Sequence, residues 1–282
     1  MIKLIASDLD GTLLDEPNYI SKINRDAIEY AYQKGAKFCF ATGRDLAAVK
    51  ELSELLVHKP VLLLSNGAQI LDENENLLHQ DTLDNIYLKE IIEILHRHAL
   101  PYMIFTTDGF YTTMPTNWVR QKFIDRIGMI RNKETAQSFA NSSTKPCNNL
   151  VNIEDMDAFI ESKQILKVEG FDTNSKTVDA VKKEFQKFTE LSSLSTGKNN
   201  VEVTNSTATK GLALQKYCQI ANIQPDEVMV LGDSHNDLSM FEHFPYSFAP
   251  ENSIDEIKKQ AYKIVKSCMD HGVSDAIYQF IK

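Results

Sequence analysis

Two acidic clusters at opposite ends of the chain hold the residues best suited to chemistry. The first is Asp8-Leu9-Asp10-Gly11-Thr12, directly behind the apolar run Ile2 to Ser7. Residues two apart on an extended chain point to the same side, so Asp8 and Asp10 present two carboxylates in one place. One carboxylate can attack phosphorus and form an aspartyl phosphate. The other can protonate a leaving oxygen and later deprotonate water. The bland alternative is a capped turn, because Asp-x-Asp-Gly also suits loops. The second cluster, Gly232-Asp233-Ser234-His235-Asn236-Asp237, follows the apolar run Glu227 to Leu231. Its carboxylates suffice for Mg²⁺, which takes oxygen ligands and keeps several waters. A metal-free capping loop is the alternative there. Read as a pair, the two clusters point to one metal-assisted site.

Two weaker signals fit the same chemistry. In Ala41-Thr42-Gly43-Arg44, the Thr42 hydroxyl can hydrogen-bond a phosphoryl oxygen, and the helix N-terminus behind it favours an anion. Lys210 opens a helical pattern, where the helix dipole disfavours a cation unless an anion sits nearby. His235, inside the second cluster, reads as a loop residue.

These residues need elements to position them. Ile2–Ser7, Lys37–Ala41 and Val61–Leu64 read as buried strands, and they alternate with helical patterns at 21–35 and 45–57. Ser21 is a candidate N-cap and Gly35 a candidate C-terminal stop. Strands alternating with helices of this length indicate βαβ units and a parallel sheet. In such a sheet ligands bind beyond the carboxyl ends of the strands, which is where both acidic clusters fall. After a helix at 84–98 the pattern changes. Tyr102–Thr107 and Phe110–Thr113 flank Asp108-Gly109, a hairpin signal and hence antiparallel pairing. Helical patterns follow at 116–127, 153–161 and 175–188, with a strand at Ile165–Phe171. The stretch 131–150 has no clear pattern. The βαβ rhythm resumes with strands at Val201–Thr204 and Glu227–Leu231 and helices at 210–221 and 237–243. The expected architecture is α/β: a Rossmann-like parallel-sheet core over 1–83 and 196–282, interrupted by an α+β insert over 84–195.

Composition narrows the function classes. The 282 residues fit two domains at about 150 residues each. Thirty basic against 39 acidic side chains give a net charge of -9, which argues against a broad nucleic-acid surface. A few local cations and a metal can still hold a small anion in one cleft. No run of about 18 apolar residues suggests a membrane span, and the first residues lack the form of a signal peptide. The four cysteines, Cys39, Cys147, Cys218 and Cys268, have no paired spacing and read as buried free thiols in a reducing cytoplasm.

The ordered set Asp8-Leu9-Asp10-Gly11-Thr12, Thr42, Lys210 and Gly232-Asp233…Asn236-Asp237 resembles the four motifs of the haloacid dehalogenase (HAD) superfamily. With Ala41-Thr42-Gly43-Arg44, Ser65-Asn66-Gly67-Ala68, His271-Gly272-Val273 and an insert of this size, the chain is similar to the Cof-type phosphatases with a class IIB cap. The resemblance implies Asp8 as nucleophile and metal ligand, and Asp10 as general acid/base with its backbone carbonyl on Mg²⁺. It implies Thr42 and Lys210 on the transferring phosphoryl group and Asp233 on Mg²⁺. Asn236 and Asp237 would contact phosphate or the metal's outer shell, with Asp237 also placing Lys210. Gly43, Arg44 and Asn66 are candidate substrate or phosphate contacts. The insert would close over the cleft and contact the leaving group, with Tyr102, Asp108, Phe110, Tyr111, Trp118 and Arg120 as candidates or simply as core. Ala249-Pro250-Glu251-Asn252 departs from the family's more usual Ala-Met-Gly-Asn. The implied activity is Mg²⁺-dependent hydrolysis of small phosphorylated metabolites, such as sugar phosphates, by a cytoplasmic enzyme with no obligatory protein partner. The alternatives are a sugar phosphomutase or phosphotransferase of the same superfamily, or a non-catalytic metabolite-binding protein on this scaffold.

Overall fold

The structure is a computed structural model that describes residues 1–14, 19–142, 145–195 and 197–282. It divides into two units: residues 1–80 with 208–282, and residues 81–207.

The first unit contains β1 (Leu4–Ser7), α1 (Lys22–Gln33), β2 (Lys37–Ala41), α2 (Leu46–Glu54), β3 (Val61–Leu64), β4 (Gln69–Leu71) and β5 (Leu77–Gln80). The second contains α3 (Asn85–Arg97), β6 (Tyr102–Thr106), β7 (Phe110–Thr112), α4 (Thr116–Ile130), α5 (Lys133–Asn141), β8 (Leu150–Asn152), α6 (Met156–Ser162), β9 (Ile165–Phe171), α7 (Ser175–Phe185), β10 (Leu191–Leu194) and β11 (Asn200–Asn205). The chain then returns to the first unit with α8 (Lys210–Ala221), β12 (Val228–Leu231), α9 (Leu238–His243), β13 (Tyr246–Pro250), α10 (Asp255–Gln260), β14 (Lys263–Val265) and α11 (Gly272–Phe280).

The first unit is built on one sheet in the order β14-β13-β12-β1-β2-β3-β4-β5. From β14 to β3 every pairing is parallel; β4 and β5 extend the sheet as an antiparallel hairpin. The parallel strands are short apolar runs buried at every position in β1, β3 and β12, as expected of a sheet covered on both faces. Their side chains alternate between two cores. Ile5, Phe38, Phe40 and Leu62 pack with residues of α1, α2 and α11, while Leu4, Ala6, Cys39 and Leu63 pack with residues of α8, α9 and α10. The helix starts follow local chemistry. Ser21, Asp45 and Thr209 each accept a backbone N–H from the first turn of α1, α2 and α8.

The second unit has its own sheet, ordered β10-β11-β9-β6-β7-β8, antiparallel except between β7 and β8. One face holds Tyr102, Ile104, Val168 and Val203 with α3, α6 and α7; the other holds Met103, Phe105 and Phe171 with α4 and α5. The expected return to the core at 196 falls inside this unit. β11 pairs antiparallel with both β9 and β10, so Val201–Thr204 belongs to the second sheet. The divisions fall after Gln80 and after Thr207, instead of at 83/84 and 195/196. Where it is described, the patternless stretch 131–150 holds all of α5 and the first residue of β8; residues 143–144 lie outside the described residues, as does position 196 at the expected boundary.

Candidate active site

Parallel pairing decides where the chemistry collects. Ser7 lies opposite Leu231 on β12 and Phe40 on β2, and Ala41 lies opposite Leu63 on β3. The carboxyl ends of β1, β2, β3 and β12 therefore share one edge, and Asp8, Thr42, Ser65 and Gly232 are the residues that leave it. The Asp8 backbone N–H is held by the Leu231 carbonyl at 2.9 Å. Gly11 adopts φ +91°, and a Cβ there would come within 2.6 Å of Asp233 Oδ2. Only glycine allows this turn to bring the two acidic loops so close.

Lys210 sits at the centre. It is fully buried at the start of α8, and its Nζ donates to Asp8 Oδ1 and Asp237 Oδ1, both at 2.6 Å. The other oxygen of Asp237, Oδ2, accepts the backbone N–H groups of Asp233 and Ser234 at 2.9 and 3.0 Å. Asp237 thus spends both oxygens on fixing Lys210 and its own loop. Asp233 Oδ1 accepts from the Thr12 hydroxyl at 3.1 Å. Asp8, Asp233 and Asp237 each place a carboxylate oxygen within 4.8 Å of the others.

Electrostatics separates these carboxyls. Burial pushes Asp8 up to about 7, against the pull of Lys210 and with a further push from Asp237. Burial, then Asp8 and Asp237, push Asp233 up to about 9. Burial opposes the charge on Lys210, yet Asp237 and Asp8 outweigh it and hold its pKa above the ordinary lysine value. One cation thus stands among three carboxyls, and the site is short of positive charge. A divalent cation with hard oxygen ligands meets that shortage. Asp8 and Asp233 are the carboxylates whose Oδ2 atoms accept no hydrogen bond from the described residues.

Of the remaining expected residues, Asp10 and Arg44 act electrostatically on Asp8. Asp10 is gripped by Arg44, with Nε donating to Oδ2 at 2.8 Å and Nη2 to Oδ1 at 2.7 Å. Arg44 is held above its ordinary pKa by Asp10, against the opposing effect of burial. The buried Thr42 hydroxyl accepts the Arg44 backbone N–H at 3.2 Å, which closes the Thr42-Gly43-Arg44 turn. Asn236 Nδ2 donates to Asn66 Oδ1 at 3.1 Å, and both residues are buried. His235 is exposed at the start of its short turn. His271 places Nδ1 3.1 Å from Ser21 Oγ, tying α11 to the cap of α1. The second unit's aromatic candidates serve largely as core. Tyr102 is fully buried, and Tyr111 packs edge-on against Phe159. Arg120 is committed to Asn148 and the Ala140 carbonyl.

Two residues join the site that were not singled out by chemistry. Thr12 closes the first acidic motif and orients Asp233. Asn252 donates to the Gly11 carbonyl at 2.7 Å and accepts from the Cys268 N–H at 2.8 Å. In the departing loop, Pro250 ends β13 opposite Val265, Glu251 is exposed, and Asn252 makes the contact with the Gly11 turn.

Comparison with known proteins gives the family. A model of the haloacid dehalogenase-like hydrolases matches residues 5–277. The chain belongs to that family and is an enzyme of the hydrolase class. It is 29% identical to the 5-amino-6-(5-phospho-D-ribitylamino)uracil phosphatase YwtE of Bacillus subtilis, covering 99% of this chain and 98% of that one. It is 28% identical to the phosphatase YwpJ of the same organism, covering 97% and 98%. The fold matches a haloacid dehalogenase-like hydrolase from B. subtilis with a TM-score of 0.86, at 25% identity over 99% of this chain and all of the other. It also matches the HAD subclass IIB sugar phosphatase BT4131 with a TM-score of 0.77, at 20% identity over 99% and 98%, a likeness of fold.

Proposed function

We propose that this hydrolase is a Mg²⁺-dependent phosphatase that cleaves small phosphorylated metabolites through a phospho-aspartyl intermediate on Asp8. The observation that carries the reading is the fully buried Lys210 bridging Asp8 and Asp237 beside Asp233. The buried Lys210 cation pulls Asp8 toward its ionised form, against burial, and engages Oδ1 while leaving Oδ2 for attack.

Asp8 and Asp233 would hold the metal, with the Asp10 backbone carbonyl, and Asp237 would act from behind by fixing Lys210 and the loop. Bound there, Mg²⁺ supplies charge stabilisation to the transferring phosphoryl group. In the first step Asp8 Oδ2 forms a bond to phosphorus and the bond from phosphorus to the ester oxygen breaks. Asp10 gives that oxygen its proton. In the second step the Asp10 carboxylate takes a proton from water, whose oxygen attacks phosphorus and releases Asp8. Thr42, Gly43 and Lys210 would hold the phosphoryl oxygens. Asp10 cannot carry a proton while Arg44 engages both of its oxygens, so the pair must open during turnover. A phosphoryl dianion is a competing partner for the guanidinium.

The second unit is proposed as the substrate-selecting domain and the first as the catalytic core. The substrate named for YwtE, a phosphorylated ribityl compound, supports a phosphomonoester on a small polyol or sugar-like carrier.

The test is phosphate release across a panel of phosphorylated metabolites with Mg²⁺, using Asp8→Asn as the blank. We expect Asp8→Asn to lower kcat on the order of 10⁴-fold with the fold intact, and EDTA to stop the reaction until Mg²⁺ is restored. Full activity of Asp8→Asn would end the covalent mechanism, and indifference to EDTA would end the role of Mg²⁺.

A further inference from the structure

The short turn after β3 is conformationally unusual. Ser65, Asn66 and Gly67 have φ of +51°, +61° and +103° in succession. Left-handed backbone is unfavourable for side chains with a Cβ, and two such residues in a row persist only where surrounding contacts enforce them. Ser65 is fully buried, and its hydroxyl has no hydrogen-bond partner among the described residues, so its side chain does not explain the turn.

The contacts do. The Ser65 N–H donates to the Arg44 carbonyl at 2.9 Å, and the Asn66 N–H to the Thr42 carbonyl at 3.0 Å. The Asn66 side chain accepts from Asn236. Gly67 lies against the cap of α8: a Cβ there would stand 2.5 Å from the Thr209 carbonyl oxygen and 2.9 Å from Ala213 Cβ. One three-residue turn therefore touches the Thr42–Arg44 turn, the residue before Lys210 and the loop that carries Asp233 and Asp237. An ordinary right-handed turn would release at least one of them.

We infer that Ser65-Asn66-Gly67 is a positioning element that sets the spacing of three catalytic segments, with Asn66 acting through Asn236 rather than by contact with substrate. The inference rests on the phosphatase reading for its kinetic consequences and on geometry alone for its structural ones. Asn66→Gly is the discriminating variant, because glycine keeps the left-handed backbone and deletes only the amide. Asn66→Gly and Asn236→Ala should each lower kcat about 10- to 100-fold, with KM within about threefold. The double variant should fall no further than the worse single one. Losses that multiply, or that appear in KM, would overturn the inference.

Hydrogen exchange on the same proteins separates this inference from the function itself. Asn66→Gly should weaken amide protection in 233–237 and 209–213 while sparing β6 and β9. Unchanged protection in those segments would sink the positioning role, whether or not any phosphatase activity is found. A global melting point falling by more than about 10 °C would also count against it, since the turn would then hold the fold rather than the site.

Discussion

At the scale of single residues, the site is a charge problem with one missing participant. Asp8 at about 7 and Asp233 at about 9, against an ordinary 3.8, remain partly or wholly protonated near neutrality. Raised carboxyl pKa values mean that the folded protein without metal binds more protons than the unfolded chain between about pH 4 and 9. Its stability contribution from these groups is therefore present at low pH and lost as pH rises through that window. Cation binding must expel the same protons, so Mg²⁺ affinity should rise with pH. We expect titration calorimetry in two buffers of different ionisation enthalpy to show proton release on Mg²⁺ binding at pH 7. Mg²⁺ at about 100 times its Kd should add about 2.7 kcal/mol of stability. Binding without proton release would mean that the two carboxyls are already ionised, and the account of a cation-deficient site would fail.

At the scale of elements, the strand-end loops act as a unit because each is braced by another. Thr12, at the close of the turn after β1, orients Asp233 after β12. Thr12→Val keeps the side-chain shape in a fully buried position while removing the hydroxyl. It should weaken Mg²⁺ binding about 10- to 100-fold, as losses of groups behind a metal ligand do, and lower stability by about 1 kcal/mol. Unchanged Mg²⁺ affinity by calorimetry would show that Asp233 needs no such support. This level was only partly legible in the sequence. The apolar runs of β1, β2, β3 and β12 and the cap Ser21 were plain, because two-sided burial and capping leave local signatures. The outer elements β4, β5 and β14 were not: they are three or four residues long, without a continuous apolar run flanked by helices and too short for a period to stand out. β11 reads as a strand on its own residues, but its partners β9 and β10 are what place it in the second sheet. The acid clusters, Thr42 and Lys210 were legible because their chemistry lies in residue type and order. The Asp10–Arg44 pair and the Asn66–Asn236 contact were not, since each joins positions far apart in sequence through side-chain geometry.

At the scale of the whole molecule, chemistry and interruption are divided between the two units. Every residue of the carboxylate centre lies in 1–80 or 208–282, while 81–207 contributes none of them. Among the described residues, the clusters around Phe38 and Leu214 contain only first-unit residues, and those around Tyr102 and Phe171 only second-unit residues. The second unit also satisfies its buried charges internally, pairing Lys167 with Glu202 at 2.9 Å and Arg126 with Glu169 at 3.1 Å. A stretch with its own sheet, two cores and self-contained ion pairs has the makings of an autonomous domain. Residues 81–207 expressed alone should therefore unfold cooperatively in denaturant, with dispersed amide resonances. Replacing 81–207 by a short flexible linker should leave a first unit that still releases phosphate from p-nitrophenyl phosphate, within about tenfold of the intact enzyme in kcat, because positioning groups and nucleophile remain together. The same protein should lose its ranking among natural substrates, since the proposed selecting domain is gone. Retained selectivity would move substrate choice into the strand-end loops of the first unit. A linker protein that folds, binds Mg²⁺ and yet turns over nothing would mean that the second unit takes part in the chemical step itself.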